Sequence, residues 1–235
     1  MATDTCQSSY RTRIKEWPAE ERPREKMLRF GSSSLSDAEL LALLIGSGTG
    51  GATAVDIAKH FLVKHRHLNA VAGQTVHELA RLKGIGPARA SRIAAAFEIG
   101  RRVEAGGDYE GRKIRAPEDL VRYYGPRFRD LKQEIFSVVL LDSGQHILRD
   151  VQISSGTLNA SLVHPREVFK PAIDHVAAGI VLIHNHPSGV ASPSDEDRRI
   201  TMQIKQAGDI VDIPVLDHII LAKNRFYSFA KEGLL

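Results

Sequence analysis

The sequence is poor in cysteine: Cys6 is the only one among its 235 residues. An internal disulfide is therefore excluded, which indicates a reducing, cytoplasmic setting. No apolar run approaches the roughly 18 residues that a membrane-spanning helix needs, and residues 1–13 lack the apolar core of a secretory signal. These absences predict a cytoplasmic protein with no membrane contact.

The chain also lacks a strong excess of one charge, since its formal net charge is +4. Residues 1–112 hold 17 Lys and Arg against 13 Asp and Glu, whereas the remainder holds 15 of each. This asymmetry indicates a polyanionic partner for the N-terminal half. A hydrophobic content of 43% and a charged content of 26% are ordinary for a globular protein of one large or two small domains.

Residues 1–105 have the apolar periodicity of helices. Ser36 is placed as an N-cap, with Glu39 three residues later, ahead of the apolar run 40–45. The glycine-rich stretch 46–51 lacks the lysine of a phosphate-binding loop and is predicted to be a turn between helices. The predicted helices cover residues 20–30, 36–45, 52–65, 75–81 and 88–103.

The composition changes at residues 106–112, where three of seven residues are glycine and few side chains could be buried. We predict a linker here, joining an all-α domain of residues 1–105 to a second domain of residues 113–235. In the second domain, predicted strands alternate with predicted helices, which indicates an α/β fold. The strands are expected at 136–142, 147–153, 179–184, 215–221 and 226–229, and the helices at 166–178 and 195–207.

Two histidines, His184 and His186, stand at the end of the apolar strand predicted at 179–184. Residues i and i+2 of a strand lie on one face, about 6.5–7 Å apart, so the two imidazoles can bind one ion. Asp197, in the first turn of the next predicted helix, offers a carboxylate. Two histidines and one carboxylate leave tetrahedral Zn²⁺ with a position open to water, which is typical of a hydrolytic site.

The same residues also have a structural interpretation. Ser194 followed by three carboxylates within its next three residues is a favourable helix start, and histidines often end strands without binding metal. The loop of proline, serine and glycine after His186, together with the fixed offset of Asp197, favours the metal site.

The spacing His184-x-His186-x7-Ser194-x2-Asp197 resembles the signature of the JAMM (MPN+) metalloproteases. The resemblance implies that the two histidines and Asp197 bind zinc and that Ser194 stabilises the oxyanion of a tetrahedral intermediate. It also implies an upstream glutamate as the base, and a mixed sheet flanked by helices, as in JAMM/MPN and cytidine-deaminase-like folds.

The wider sequence resembles the RadC family more narrowly. The similarity includes VHPRE at 163–167, HNHPSG at 184–189 and the segments 17–25 and 228–230, and it extends over nearly the whole chain. This resemblance implies a small helix-hairpin-helix domain ahead of the zinc domain. The traditional naming of that family also implies a role in DNA repair.

Two glutamates are candidates for the base. Glu134 begins the first predicted strand of the second domain, where the JAMM pattern places its base, whereas Glu167 lies early in a predicted helix, where a carboxylate also suits a helix start. We favour Glu134. Asn185 replaces the Ser or Thr of many JAMM deubiquitinases, so the resemblance supports zinc chemistry better than a ubiquitin-like substrate. Asp217 and His218 suit either hydrogen bonding behind the zinc ligands or a buried strand pair.

Residues 82–90 resemble the turn of a helix-hairpin-helix motif, with glycines at Gly84 and Gly86. In such motifs, backbone N–H groups at the start of the next helix approach a phosphate. Lys83 and Arg89 would add charge, giving salt-sensitive, sequence-independent DNA binding. The alternative is a plain helical hairpin whose glycines serve only the turn.

The sequence therefore predicts a zinc-dependent hydrolase of JAMM type that cleaves peptide or isopeptide bonds in a protein or peptide substrate. The alternative is a DNA-binding repair or recombination factor, either a nuclease or a non-catalytic module, that uses the helix-hairpin-helix turn. A nuclease usually gains from two metals, and the sequence offers no second ligand set close to the first, which favours the hydrolase.

Overall fold

The structure is a computed structural model that describes residues 12–106, 109–156, 163–223 and 225–235. Cys6 and residues 107–108 of the predicted linker lie outside the described residues. The chain divides into two compact units, one ending at Glu98 and the other spanning Ile99–Leu235. Within the described ranges, no helix is both long and apolar enough to cross a membrane.

The first unit consists of short helices whose starts are fixed by reciprocal side-chain caps. The Ser36 hydroxyl accepts a hydrogen bond from the Glu39 N–H, and the Glu39 carboxylate accepts one from the Ser36 N–H. Thr53 and Thr75 cap later helices in the same way. The helices are α1 (Pro23–Phe30), α2 (Asp37–Ile45), α3 (Ala54–His65), α4 (Leu68–Ala72), α5 (Val76–Ala80) and α6 (Pro87–Glu104), with 3-10 turns at Ile14–Glu16, Ala19–Glu21 and Ser32–Ser34.

These elements confirm the predicted helical N-terminal region. The first helix begins at Pro23 rather than at residue 20, because proline has a fixed φ and no N–H and so suits the first helical position. The glycine-rich stretch 46–51 is an interhelical turn, as expected. One apolar cluster holds the helices together and includes Leu41, Ile45, Ala58, Phe61, Val71, Leu79, Ile85 and Ile93.

The second unit is a five-stranded mixed sheet with helices on both faces, which confirms the α/β prediction. The strand order is β2-β1-β3-β4-β5; β3 and β4 are parallel, and the other neighbours are antiparallel. The elements in chain order are α7 (Pro117–Phe128), β1 (Ile135–Leu141), β2 (Ile147–Ser155), α8 (Pro165–Asp174), β3 (Gly179–Asn185), α9 (Asp195–Val211), β4 (Val215–Ala222) and β5 (Arg225–Ser228).

The central strand β3 divides its side chains between two cores, because alternate residues of a strand point to opposite faces. Ile180 and Leu182 pack with residues of α8 and α9, whereas Val181 and Ile183 pack with residues of α7. The alternation places the next residue, His184, on the face covered by α9. The sheet and α9 are thus the two elements that build the site.

Three expectations differ from the structure. The helix predicted at 166–178 ends at Asp174, because Val176 has a positive φ of 53° and turns the chain towards β3. The helix α7 has no predicted counterpart. The segment 106–112, expected to bury little, contains Tyr109, which is half-buried and whose hydroxyl donates to Asp150 at 2.5 Å. The bounds 1–105, 106–112 and 113–235 stay a prediction.

Candidate metal centre

The three predicted ligands meet where β3 ends and α9 begins. His184 and Asp197 are buried, with 0% and 2% exposure, while His186 is partly exposed. The His186 N–H donates to the Leu221 carbonyl at 2.8 Å, which holds His186 beside β4 immediately after β3. Ser194 caps α9 and so places Asp197 in its first turn.

The ligand atoms converge on one point. His184 Nε2 lies 2.9 Å from His186 Nε2 and 3.2 Å from Asp197 Oδ1, and His186 Nε2 lies 3.4 Å from Asp197 Oδ2. Zinc–ligand bonds of about 2.0–2.1 Å in a tetrahedron require ligand atoms about 3.3 Å apart. The spacing and the donor chemistry therefore fit zinc, and these three residues form a candidate metal cluster among the described residues.

His186 has the tautomer that a metal ligand needs. Its Nδ1 lies 2.7 Å from the Val190 carbonyl, which can only accept a hydrogen bond. The proton of the neutral ring must therefore be on Nδ1, which leaves Nε2 as the nitrogen that can bind an ion. With no ion bound, the hydrogen bond from a protonated Nε2 to Asp197, acting against burial, raises the pKa of His186.

Asp197 is ionised and firmly held. Burial acts to raise its pKa, but hydrogen bonds from the two histidines and from Ser194 outweigh burial and hold the pKa well below its ordinary value. Asp197 Oδ2 accepts from both the Ser194 N–H and the Ser194 hydroxyl, each at 2.7 Å. Ser194 is thus a helix cap as well as a candidate catalytic residue, and it is exposed to solvent beside the cluster.

Glu134 lies immediately before β1, which begins at Ile135, one residue earlier than the predicted strand start at 136. The antiparallel register pairs Phe136 with His184, so continuing it by two residues sets Glu134 opposite His186. Burial lowers the pKa of His184, and hydrogen bonding to Asp197 raises the pKa of His186. The nearby negative charge of Glu134 has a smaller effect, which acts to raise the pKa of each histidine.

Asn185 fixes the backbone on both sides of Glu134. Its Oδ1 accepts from the Ile135 N–H at 2.8 Å, and its Nδ2 donates to the Gln133 carbonyl at 3.1 Å. Asn185 is 2% exposed, so both polar atoms of its amide are satisfied within the protein. The Asn185 side chain thus takes the place of a backbone partner just beyond the last paired residues of β1 and β3.

Glu167 has a different environment. It lies in the first turn of α8, is exposed, and accepts a hydrogen bond from the neighbouring Arg166 at 3.0 Å. Its position corresponds to the alternative that the sequence indicates for Glu167, a carboxylate at the start of a helix.

His218 and Asp217 have separate roles. His218 Nε2 lies 2.8 Å from His184 Nδ1, and its Nδ1 lies 2.6 Å from the Thr201 hydroxyl. The Asp217 carboxylate accepts from Ser228 Oγ at 2.6 Å and from the Ala230 N–H at 2.9 Å. His218 therefore lies behind a candidate ligand, whereas Asp217 fixes the segment after β5.

A cleft of about 340 Å³ opens beside His186. Its buried lining residues are apolar, and its exposed lining residues are mostly basic. The lining includes Val121, Arg122, Pro126, Phe128 and Arg129 from α7 and the residue after it, His186 and Pro187 from the candidate centre, Leu221, Lys223 and Arg225 from β4 and β5, and Glu104.

The N-terminal turn has the glycine geometry that the sequence predicts. Gly84 has a φ of +86°, and a Cβ there would meet the side chain of Ile57 at 3.0 Å, so the position requires glycine. Lys83 and Gly86 are exposed just before α6. Arg89 donates to the Gly84 carbonyl and to Ser47 Oγ, so its guanidinium holds the turn to the preceding loop.

Family models match both parts of the chain. Residues 14–91 match a model described as UPF0758 N-terminal, and residues 114–234, more than half of the chain, match the RadC-like JAB domain. The chain belongs to the RadC family. Its second unit is accordingly a RadC-like JAB domain that carries a buried cluster of two histidines and one aspartate.

Relatives in the RadC family align over almost their full length. A UPF0758 protein of Geobacter sulfurreducens is 47% identical over 94% of this chain and 98% of its own length. Similar proteins of Salinibacter ruber and Alkaliphilus metalliredigens are 45% and 42% identical, over 96% and 97% of this chain and 99% of each relative. The similarity therefore covers both units, and the names of these relatives state no activity.

Sequence reasoning missed two residues of the site. Thr201 carries no motif signal beyond its position one helical turn after Asp197, and the sequence gives Asn185 no predicted role beyond its departure from the JAMM pattern. The polar character of Asn185 between two ligands of a buried strand was the available signal, since a buried amide must have partners.

Proposed function

We propose that the chain is a zinc-dependent hydrolase that cleaves peptide or isopeptide bonds. The observation that supports this proposal is the convergence of both histidine Nε2 atoms on the Asp197 carboxylate, with His186 on the open side of the cluster. His184, His186 and Asp197 would hold the ion. Zinc bound there supplies Lewis-acid chemistry that activates water and polarises a carbonyl group.

The residues around the cluster complete the reaction. Glu134 takes a proton from the attacking water as its oxygen bonds to the carbonyl carbon, and gives that proton to the nitrogen as the C–N bond breaks. The Ser194 hydroxyl turns to donate to the negative charge that develops on the carbonyl oxygen. Asp197 keeps its hydrogen bond from the Ser194 N–H during this turn, so its carboxylate stays in place.

Glu134→Gln tests the assignment of the base. We expect the variant to bind zinc as the wild type does, because Glu134 is not a ligand, and to lose at least about 100-fold in turnover, because general-base catalysis is absent. The measurements are zinc content by elemental analysis and cleavage of a fluorogenic peptide library. Glu167→Gln is the matched comparison and should retain turnover; the opposite pattern would identify Glu167 as the base.

A second candidate function, DNA binding in repair or recombination, is supported by the exposed turn at Lys83 and Gly86. We propose that the backbone N–H groups there and the Lys83 ammonium contact phosphates without sequence preference. In gel shifts of the full chain, Lys83→Gln should weaken binding and reduce its salt dependence. Lys59→Gln, on the exposed side of α3, is the control. Equal loss in both variants would mean that general charge, rather than the turn, binds DNA.

A further inference from the structure

A chain of hydrogen bonds that begins at another candidate ligand, Asp197, determines which ring nitrogen of His184 carries the proton. The Thr201 hydroxyl lies 2.5 Å from the Asp197 backbone carbonyl, one helical turn earlier in α9. A carbonyl can only accept, so the single hydroxyl proton of Thr201 points to it. The oxygen of Thr201 can then only accept from the second neighbour, His218 Nδ1, at 2.6 Å.

This arrangement determines the protonation of His218. Its ring is fully buried, stacks on Phe229 at 4.9 Å between centroids, and meets Phe136 edge to face. Its hydrogen-bond partners are an imidazole and a hydroxyl rather than a carboxylate, and a ring buried in this way does not hold a charge, so it is neutral and carries one proton. Because Nδ1 carries this proton and donates it to Thr201, the Nε2 of His218 has no proton and presents a lone pair.

The lone pair of His218 faces His184 Nδ1 at 2.8 Å. This nitrogen can only accept, so the hydrogen bond requires a proton on His184 Nδ1, which donates it. With its proton on Nδ1, the neutral His184 ring has Nε2, the atom nearest His186 and Asp197, available to bind an ion. We infer that Thr201 and His218 are positioning residues that set the metal-binding tautomer of His184 before any ion arrives.

The inference distinguishes the two histidine ligands. His186 is oriented directly by a loop carbonyl, that of Val190, whereas His184 is oriented through two side chains on α9 and β4. The connection ends on the backbone of Asp197, so a displacement of α9 would move one ligand and disturb the tautomer of another. Zinc affinity thereby depends on the packing of α9 against β4.

The wild-type chain provides the first test, without any substitution. In ¹⁵N–¹H correlation spectra of the zinc-free full chain, we expect His218 in the Nδ1–H form. A His218 ring protonated at Nε2 would overturn the inference, because His184 would then hold its own proton on the metal-binding nitrogen.

Thr201→Val gives the second test, since valine keeps the shape of threonine and removes the hydroxyl. We expect zinc binding about 10–100-fold weaker in competition with a chelator, with His218 shifted to the Nε2–H form. Thr201→Ser keeps the hydroxyl and should bind zinc within about threefold of the wild type. A folded Thr201→Val chain with wild-type affinity would overturn the inference, whereas failure of the wild type to bind zinc would instead contradict the proposed function.

A separate observation concerns the substrate and rests on the proposed function. The cleft beside His186 has four basic side chains on its lining, Arg122, Arg129, Lys223 and Arg225, against one acidic side chain, Glu104. Residues 113–235 as a whole hold equal numbers of basic and acidic residues, so the excess is local. Glu104 offsets only Arg129, with which it pairs at 2.6 Å.

The cleft therefore combines apolar buried residues with three further cations. It borders the candidate centre, because His186 is one of its lining residues. A peptide has apolar and charged side chains together, and this lining complements a segment with carboxylates near apolar residues. We propose that this cleft binds the part of a peptide substrate next to the scissile bond and that this part is acidic.

Fluorescence anisotropy with the zinc-loaded full chain tests this proposal without requiring turnover. The probes are two pools of decapeptides that are identical except for glutamate or glutamine on both sides of a randomised centre. We expect the glutamate pool to bind at least about fivefold more tightly, and the difference to disappear in Lys223→Gln/Arg225→Gln. Arg149→Gln, an exposed position on β2 at the opposite edge of the sheet, should keep it.

Equal affinity for the two pools would overturn the acidic-peptide proposal while leaving the hydrolase intact. A single-stranded oligonucleotide that binds more tightly than either pool, and loses binding in the same double variant, would assign the cleft to nucleic acid. If the zinc-loaded wild-type chain binds the glutamate pool but cleaves no peptide, that result would contradict the proposed function and leave the acidic-peptide proposal intact.

Discussion

Asn185 lies between the two candidate histidine ligands in sequence, yet its amide contacts the backbone around Glu134. Asn185→Ala removes both contacts. Because the ligands keep their own partners, we expect zinc affinity to stay within a few fold and turnover to fall about tenfold, as the base loses its position. Buried backbone groups left without partners should also lower the free energy of unfolding by about 1–3 kcal/mol.

The measurements are chelator competition, peptide cleavage and urea denaturation. Gln133→Ala is the control, since Asn185 contacts only the backbone of residue 133. Equal losses of zinc affinity and turnover in Asn185→Ala would show that Asn185 supports the ligands rather than Glu134.

The residues that sequence reasoning identified share a local signal. His184 and His186 are two apart on a strand, and Asp197 follows a recognisable helix start, so spacing alone indicates their proximity. The partners of Asn185 and His218 are more than 15 residues away in the chain. Their contacts depend on strand register and on the packing of α9, which local periodicity does not determine.

At the scale of elements, Asp217 ties the beginning of β4 to the end of β5 and the segment after it. Its carboxylate accepts from the His218 N–H, Ser228 Oγ and the Ala230 N–H. Asp217→Ala leaves three buried or partly buried donors without an acceptor, and we expect a loss of about 2–4 kcal/mol in the free energy of unfolding. Asp217→Asn can still accept at one oxygen and should cost clearly less.

Urea denaturation of the two variants checks this prediction, with zinc affinity as a second measurement. Phe229 stacks on His218, so a disordered final segment should also weaken zinc binding in Asp217→Ala. Similar stability in Asp217→Ala and the wild type would mean that water replaces the lost acceptor.

Elements with strong signals at their ends are those that the sequence predicts well. The caps at Ser36 and Ser194 are local features, and the structure has both of them. Helix α7 was missed because Gly125 and Pro126 interrupt it; its apolar side, which includes Leu120 and Tyr124, is recognisable only once the sheet face that it covers is known.

At the scale of the whole molecule, each unit has its own apolar core, and the candidate ligands belong to the second. The only tryptophan, Trp17, packs against the core of the first unit. Zinc at about 1,000 times its Kd should stabilise the unit that binds it by about 4 kcal/mol. We therefore expect zinc to raise the thermal transition of the second unit and to leave the Trp17 fluorescence transition unchanged.

Calorimetry and Trp17 fluorescence, each with zinc and with a chelator, provide the comparison. Asp197→Ala, which lacks one ligand, should show no zinc-dependent shift by either method. A zinc-dependent shift of the Trp17 transition would mean that the two units unfold as one.

All seven residues of β3 are buried, and the strand lies between β1 and β4. Such a strand opens only when the whole sheet unfolds, so its amide protons should exchange slowly whether or not an ion is bound. The Val190 carbonyl that accepts from His186 lies instead in the loop 187–193, outside the sheet. Opening of this loop would free the His186 ring, so we expect the loop to set how fast a bound ion enters and leaves, while β3 holds His184 in place.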